Sequence, residues 1–291
     1  MRKTRILSFG LAAFLISGCQ STLQRRNIIP HEPYSLSLSS SVTSSKPSHI
    51  YALLCNMNDL QEMRFTLSIN EVYSTLVKAG VPHDNIYYIG SSTNVNCRAY
   101  SPSKEGFATA CKELSKLVTT DDVLFYYNTN HGDRKQIAKG FWQSVISLSK
   151  TNSLNESELE AMISSIRPKY GVLCFPQCYG GGFAERLGKG YFIGISESKR
   201  SEPSYSLFID GLAHYLIPVI FGAVSDNIRA RVDTNKDRII SVSEAFNYAA
   251  KNDFFTHPIL FFTPWKNTYQ LFYQQVNPDD VSLDEKAMKK R

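Results

Sequence analysis

No apolar stretch at the N-terminus of this 291-residue chain is long enough to cross a bilayer, which takes roughly 20 residues of helix. The run from Ile6 to Ile16 has about 11. The chain also lacks a basic stripe interleaved with aromatics, the footprint of a nucleic-acid surface. Its formal charge of +6 does not supply one. Arg2, Lys3 and Arg5 precede the apolar run; without them 32 − 3 = 29 basic residues face 26 acidic ones, a net near +3. No internal repeat is visible, and no Gly-, Pro- or Ser-rich break interrupts residues 49–277. Nucleic acid is therefore not expected as a partner, and one domain with a sizeable core is.

What the N-terminus does contain is basic residues followed by a short apolar run, the pattern of an export signal. It ends in Leu15-Ile16-Ser17-Gly18-Cys19, which resembles a bacterial lipobox. The resemblance implies cleavage before Cys19 and lipid on its thiol, a durable anchor when two or more acyl chains are attached. Gln20 after the cysteine implies the outer membrane by the same resemblance. An ordinary secretory signal ending near a cysteine is the alternative. The chain then divides into a signal peptide at 1–18, a Ser-rich tether at 19–47, a globular domain at 48–277 and a charged tail at 278–291. The tether has no helical or strand period.

Inside the domain, short apolar runs alternate with helical patterns. Strands are expected at 49–55, 85–90, 122–127, 170–175 and 191–196, and helices at 68–80, 104–118 and 155–166. Continuously apolar strands alternating with helices predict an α/β fold, with a mostly parallel sheet covered on both faces.

Two reactive side chains fall just past strand ends. The strand at 122–127 runs into Asn-Thr-Asn-His-Gly-Asp, placing His131 and Gly132 at its tip. The strand at 170–175 runs into Pro-Gln-Cys-Tyr-Gly-Gly-Gly, placing Cys178 at its own. Ligands of open α/β sheets bind at the carboxyl ends of strands, and adjacent strands lie about 5 Å apart. Neighbouring strands would bring an imidazole within reach of a thiol, the pairing that makes a sulfur nucleophile at neutral pH. The backbone N–H groups of Gly132 and Cys178 are candidate oxyanion donors. Gly180, Gly181 and Gly182 would permit a tight turn and close approach of a substrate. A lone exported cysteine is more often half a disulfide or a small core residue; the order His then Cys, 178 − 131 = 47 residues apart, matches the spacing of caspase-type sites instead.

With these motifs the domain resembles a clan CD cysteine peptidase, most closely the legumain-like family C13. "YYNTNHGD" matches its strand-then-His-Gly motif, "CFPQCYGGGF" its strand-then-Cys motif, "SEPSYS" (201–206) its specificity-pocket stretch, and "MRFTLSINEVYSTLVKAGVP" (63–82) the helix that starts at a pocket arginine. The resemblance covers most of 49–265. It implies a caspase-like three-layer sandwich and a peptide or protein substrate. His131 and Cys178 would be the catalytic pair, and Arg64, Tyr179, Ser204 and Asp210 would contact substrate. The chain departs from the family at three points. Glu62 stands where legumains carry an asparagine that orients the histidine, and a carboxylate there would orient and charge His131. Tyr179 replaces an acid and Pro203 a pocket serine. Asp210 and Glu197 either line a pocket for Arg or Lys or are surface acids.

Cys55, Cys97, Cys111 and Cys174 remain, which allows three pairings. Cys174 is expected as a packed free thiol, and Cys97–Cys111 is the pairing that closes a short loop. Asp233, Asn235, Asp237, Ile239, Ser241 and Glu244 occupy positions 1, 3, 5, 7, 9 and 12 of an EF-hand loop. Helices are expected over 207–224 before it and 243–252 after it. Position 6 is Arg238 rather than Gly, so the loop either binds Ca²⁺ or keeps its shape without the ion.

The expected protein is a cell-envelope cysteine endopeptidase working through an acyl-enzyme, with no cofactor needed for the chemistry. A transpeptidase using the same pair, or a non-catalytic surface module of the same fold, are the alternatives.

Overall fold

The computed structural model describes residues 49–56, 62–91, 95–148, 153–205, 209–253 and 259–261. The signal, Cys19, the tether and the charged tail lie outside them. Everything described belongs to one compact unit, Val42–Arg291.

The chain alternates as expected. Strand β1 (Ile50–Asn56) leads to helix α1 (Met63–Lys78), then β2 (Ile86–Gly90), β3 (Arg98–Tyr100), α2 (Lys104–Leu117) and β4 (Val123–Asn128). A hairpin of β5 (Gly132–Ala138) and β6 (Phe141–Ser147) follows, then β7 (Ser153–Asn155), α3 (Glu156–Ile163) and β8 (Tyr170–Phe175). The chain continues through α4 (Gly181–Leu187), β9 (Phe192–Ser196), a π-wound turn (Leu212–Leu216) entering α5 (Ile217–Ile220), α6 (Asp226–Val232), α7 (Val242–Asn252) and β10 (Ile259–Phe261).

Seven strands form the main sheet in the order β10-β9-β8-β4-β1-β2-β3. All neighbours are parallel except the edge pair β10–β9. Because side chains alternate across a strand, β1 sends Ala52 and Leu54 to one face and Leu53 and Cys55 to the other. Helices α1, α5 and α7 cover the first face through Ile69, Val72, Ile217 and Ala245. Helices α2, α3 and α4 cover the second through Phe107, Leu114, Leu159 and Phe183. The result is the expected three-layer α/β sandwich. Both faces of the central strands are dry, which is why they read as continuous apolar runs.

Local chemistry sets the helix starts. Ser103 caps α2 by accepting the Gly106 N–H. Asn155 opens α3 in a reciprocal capping box with Glu158, and Ser241 does the same for α7 with Glu244. Such boxes satisfy two backbone donors that a helix start leaves orphaned.

Three expectations are corrected. A second, antiparallel sheet, β5-β6-β7, occupies the stretch between His131 and the helix expected at 155–166, where no strand was expected. The helix entering the 233–244 loop is α6, not a continuous helix over 207–224. The described cysteines Cys55, Cys97, Cys111, Cys174 and Cys178 are all free. Cys97 packs against the core on one face of the sheet and Cys111 lies in the core on the other, so the sheet itself stands between the expected pair. Cys174 is buried within β8, as its run predicted.

Candidate active site

The site is built where two neighbouring strands end. Strand β4 pairs with β8 in register Tyr127 to Cys174, so the loops after them leave the sheet side by side. A Cβ added at Gly132 would lie 1.9 Å from the Cys178 carbonyl oxygen and 3.0 Å from Gln177 Cγ. The two loops therefore touch, and only glycine fits at the contact. Beneath it the buried Asn128 amide donates to Gln177 Oε1 at 3.2 Å, joining the two strand tips.

His131 is held from the start of α1. Its Nε2 lies 2.5 Å from Glu62 Oε1, and Arg64 Nη2 is 3.4 Å from its Nδ1. A guanidinium only donates, so Nδ1 is the acceptor and the ring proton sits on Nε2, given to Glu62. That leaves Nδ1 as the basic nitrogen. Arg64 also donates from Nε to Glu62 Oε2 at 2.9 Å, and the edge of Phe65 packs on the imidazole with ring centroids 5.2 Å apart. Desolvation opposes ionisation of Glu62, but the His131 hydrogen bond and the charges of His131 and Arg64 outweigh it, and its carboxyl titrates below the usual range.

Cys178 is half-buried. Its Sγ donates to the Ser204 carbonyl and accepts the Ser204 N–H, both at 3.3 Å. Burial pushes the thiol up; the Ser204 N–H and the Arg64 charge pull the other way without overcoming it. The imidazole and thiol thus stand on touching loops, each engaged by other partners and not by one another. The next residue, Tyr179, takes φ 59°, a left-handed conformation costing about 1–2 kcal/mol in a side-chain-bearing residue. It is pinned there: its N–H donates to the Glu202 carbonyl at 3.0 Å and its carbonyl accepts Ser144 Oγ at 2.7 Å. The three following glycines pack on protein. Cβ atoms at Gly180 and Gly181 would meet the Phe175 and Ser198 carbonyls at 2.3 and 2.6 Å. Their smallness serves internal packing, not the substrate approach expected of them.

Unlike Asp210, the candidate substrate residues Arg64, Tyr179 and Ser204 bear on the thiol. Ser204 contacts it directly, and Ser204 Oγ donates to Glu197 Oε2 at 3.0 Å. Glu197 Oε1 accepts the Leu212 N–H at 2.6 Å. Asp210 accepts the Tyr127 hydroxyl at 2.7 Å, and its own N–H donates to Ser68 Oγ. Glu197 and Asp210 are buried, not surface acids. Burial and the nearby Asp210 charge push the Glu197 carboxyl well above the ordinary range. Sequence reasoning passed over Ser68, Tyr127, Asn128 and Ser144. Each lies inside a strand or helix, and Ser68, Tyr127 and Asn128 were read there only as parts of the matched segments.

The candidate ligands of the 233–244 loop hydrogen-bond to the loop itself and do not converge on a cation. Asp233 Oδ2 accepts the Arg238 N–H, Asn235 Oδ1 the Asp237 N–H, and Asp237 Oδ1 the Ile239 N–H. Glu244 is turned onto Thr234, Asn235 and Ser241 instead. Arg238 and Lys236 sit at φ 69° and 62°. Among the described residues no group of three or more His, Cys, Asp or Glu side chains is placed to hold a metal. Asp233 Oδ1 is a buried oxygen with no hydrogen-bond partner.

No protein-family model matches the chain, and no curated protein matches it in sequence. Among solved structures it is similar to protein GSU0716 from Geobacter sulfurreducens, with a TM-score of 0.52 and 10% identity over 75% of this chain and 94% of that one. That likeness concerns the fold alone.

Proposed function

We propose that the chain is a lipid-tethered cysteine peptidase of the legumain-like type, with His131 as base and Cys178 as nucleophile. The observation that carries this reading is the contact of Gly132 with the Cys178 backbone at the tips of adjacent strands, with His131 oriented by Glu62. Substrate binding would release Sγ from Ser204 and bring Nδ1 to the thiol. Nδ1 takes the proton, sulfur attacks the peptide carbonyl, and the N–H groups of Gly132 and Cys178 hold the oxyanion. The imidazolium, stabilised by Glu62, gives its proton to the leaving amine. Water, deprotonated by His131, then releases the acyl group. Because burial keeps the resting thiol protonated, the proton transfer belongs to catalysis and not to a standing ion pair. Glu197 and Asp210 are buried together behind Ser204, and the charge that the pair shares would favour a basic side chain at the scissile residue. Anchoring would be through Cys19.

The test is labelling with an electrophilic peptide probe, with Cys178→Ala as control. Labelling confined to Cys178 and faster than that of free cysteine is expected. A Cys178 no more reactive than free cysteine favours a non-catalytic module, a reading that the absent imidazole–thiol hydrogen bond supports.

The unpartnered Asp233 Oδ1 supports a second, separate reading: the 233–244 loop takes Ca²⁺ weakly, with Glu244 swinging from its backbone partners to the ion.

A further inference from the structure

The outer end of the β5–β6 hairpin leaves the body of the domain. Strand β7 pairs with β6 only at Val145, Ile146 and Ser147. Beyond Val145 the two strands run on without a third, about 14 Å to Phe141 at the usual rise of a strand. Residues 135–142 are all exposed. A Cβ added at Gly140, in the turn, would meet nothing within 4 Å. Yet Ile137, Phe141 and Trp142 stand on this tip, 65%, 69% and 41% exposed. Exposed apolar side chains are normal when scattered and informative when gathered.

The strand register gathers these three. Gln136 pairs with Trp142 and Ala138 with Phe141, and Ile137 is the extra residue of a bulge between the two pairs. Cations surround them: Arg134, Lys135 and Lys139 stand in the hairpin against a single acid, Asp133. The Arg134 guanidinium lies 4.7 Å from the Trp142 ring centre and 5.2 Å from that of Tyr179. Lys135 Nζ donates to Ser153 Oγ at 2.9 Å, and Lys139 is exposed in the turn. Lower down, Ser144 on β6 donates to the Tyr179 carbonyl. The stem is braced and the tip is bare.

We propose that this tip docks on an anionic lipid surface: Ile137, Phe141 and Trp142 enter the headgroup boundary while Lys135 and Lys139 meet lipid phosphates. Apolar and aromatic side chains ringed by cations are what an interfacial anchor needs, and tryptophan favours that depth. The shape agrees. Sites for small ligands are concave, whereas a two-stranded tip is convex and lipid can close around it from every side. An anchor on Cys19 would also keep a membrane within reach. It lies 50 − 19 = 31 residues before β1, a span of at most about 110 Å. The proposal takes the membrane from the lipid-tethered reading and nothing from its peptidase chemistry.

The test uses the full chain with Trp265→Phe, which leaves Trp142 as its sole tryptophan. Its emission is followed on vesicles of phosphatidylglycerol or phosphatidylcholine, with and without brominated acyl chains. A blue shift and quenching by bromine are expected, at about tenfold less lipid for phosphatidylglycerol, and less so in high salt. Ile137→Ser with Phe141→Ser should remove most of the quenching. Both side chains are exposed, so the double variant should fold, checked by an unchanged melting temperature. An unquenched Trp142 overturns the proposal, including on vesicles that the chain floats with, where lipid alone would be the anchor. Quenching that survives the double variant, or that needs equal amounts of the two lipids, overturns it as well. So does a blue shift that grows with protein concentration in the absence of lipid, which would put the tip against a second copy of the chain. Quenching retained with Cys19→Ser upholds the tip without the anchor, and a Cys178 unreactive to the peptide probe removes only the peptidase.

Discussion

Glu62 and His131 are separated by 69 residues and joined by a 2.5 Å hydrogen bond. The carboxylate fixes the ring proton on Nε2 and leaves Nδ1, which faces Arg64, as the basic nitrogen; in the proposed mechanism it would also stabilise the imidazolium. Glu62→Gln keeps an acceptor but removes the charge. The expected outcome is a fall in kcat of about a hundredfold, with KM nearly unchanged, in a fluorogenic-peptide assay. A parallel loss in KM would point to substrate contact instead.

The same carboxylate makes stability depend on acid. Its folded pKa lies below the unfolded one, so its contribution is complete above the unfolded value near 4.3 and fades as pH falls through the folded value. Thermal melts of the chain and of Glu62→Gln should converge on acidification through this window. A constant gap would contradict the pairing.

Glu197 carries the opposite sign. Burial raises its folded pKa, so the native state holds a proton that the unfolded chain releases, and stability falls as pH rises from the unfolded value toward the folded one. Glu197→Gln should raise the melting temperature at neutral pH and lose that advantage below about pH 4.

At Gly132 the constraint is steric. Glycine to alanine would drive a methyl into the Cys178 carbonyl. The expected loss is about 1–3 kcal/mol of stability, measured by urea denaturation. Reactivity of Cys178 toward the peptide probe should fall with it, because the two loops must separate.

In the 233–244 loop, Arg238 at φ 69° stores strain. Arg238→Gly should stabilise the chain by roughly 1 kcal/mol and strengthen the response of the melting temperature to Ca²⁺. Asp233→Ala should abolish that response. A melting temperature indifferent to millimolar Ca²⁺ in both the natural chain and Arg238→Gly would show an ion-free turn.

The strands β1, β2, β4, β8 and β9 were legible because burial on both faces demands unbroken apolar runs, and that pattern survives without neighbours. The β5–β6 hairpin was not. Its first strand is almost wholly exposed, so its Arg, Lys and Gln residues carry no alternation to read. Helix α4 was hidden because its glycines read as a turn, while their actual reason is close packing against the Phe175 and Ser198 carbonyls. Cys97 and Cys111 looked pairable because closeness along a chain says nothing about which face of a sheet each side chain takes.

By itself the sequence determined the alternation of strands and helices, and it placed His131 and Cys178 just beyond strand ends, since both follow from local periodicity and turn residues. Only the tertiary structure decided that β4 and β8 are neighbours, that Glu62 reaches the imidazole, and that Ser204 rather than His131 holds the resting sulfur. Those are contacts between residues remote in the chain, and the order of strands in the sheet, which no local pattern encodes, is what brings them together.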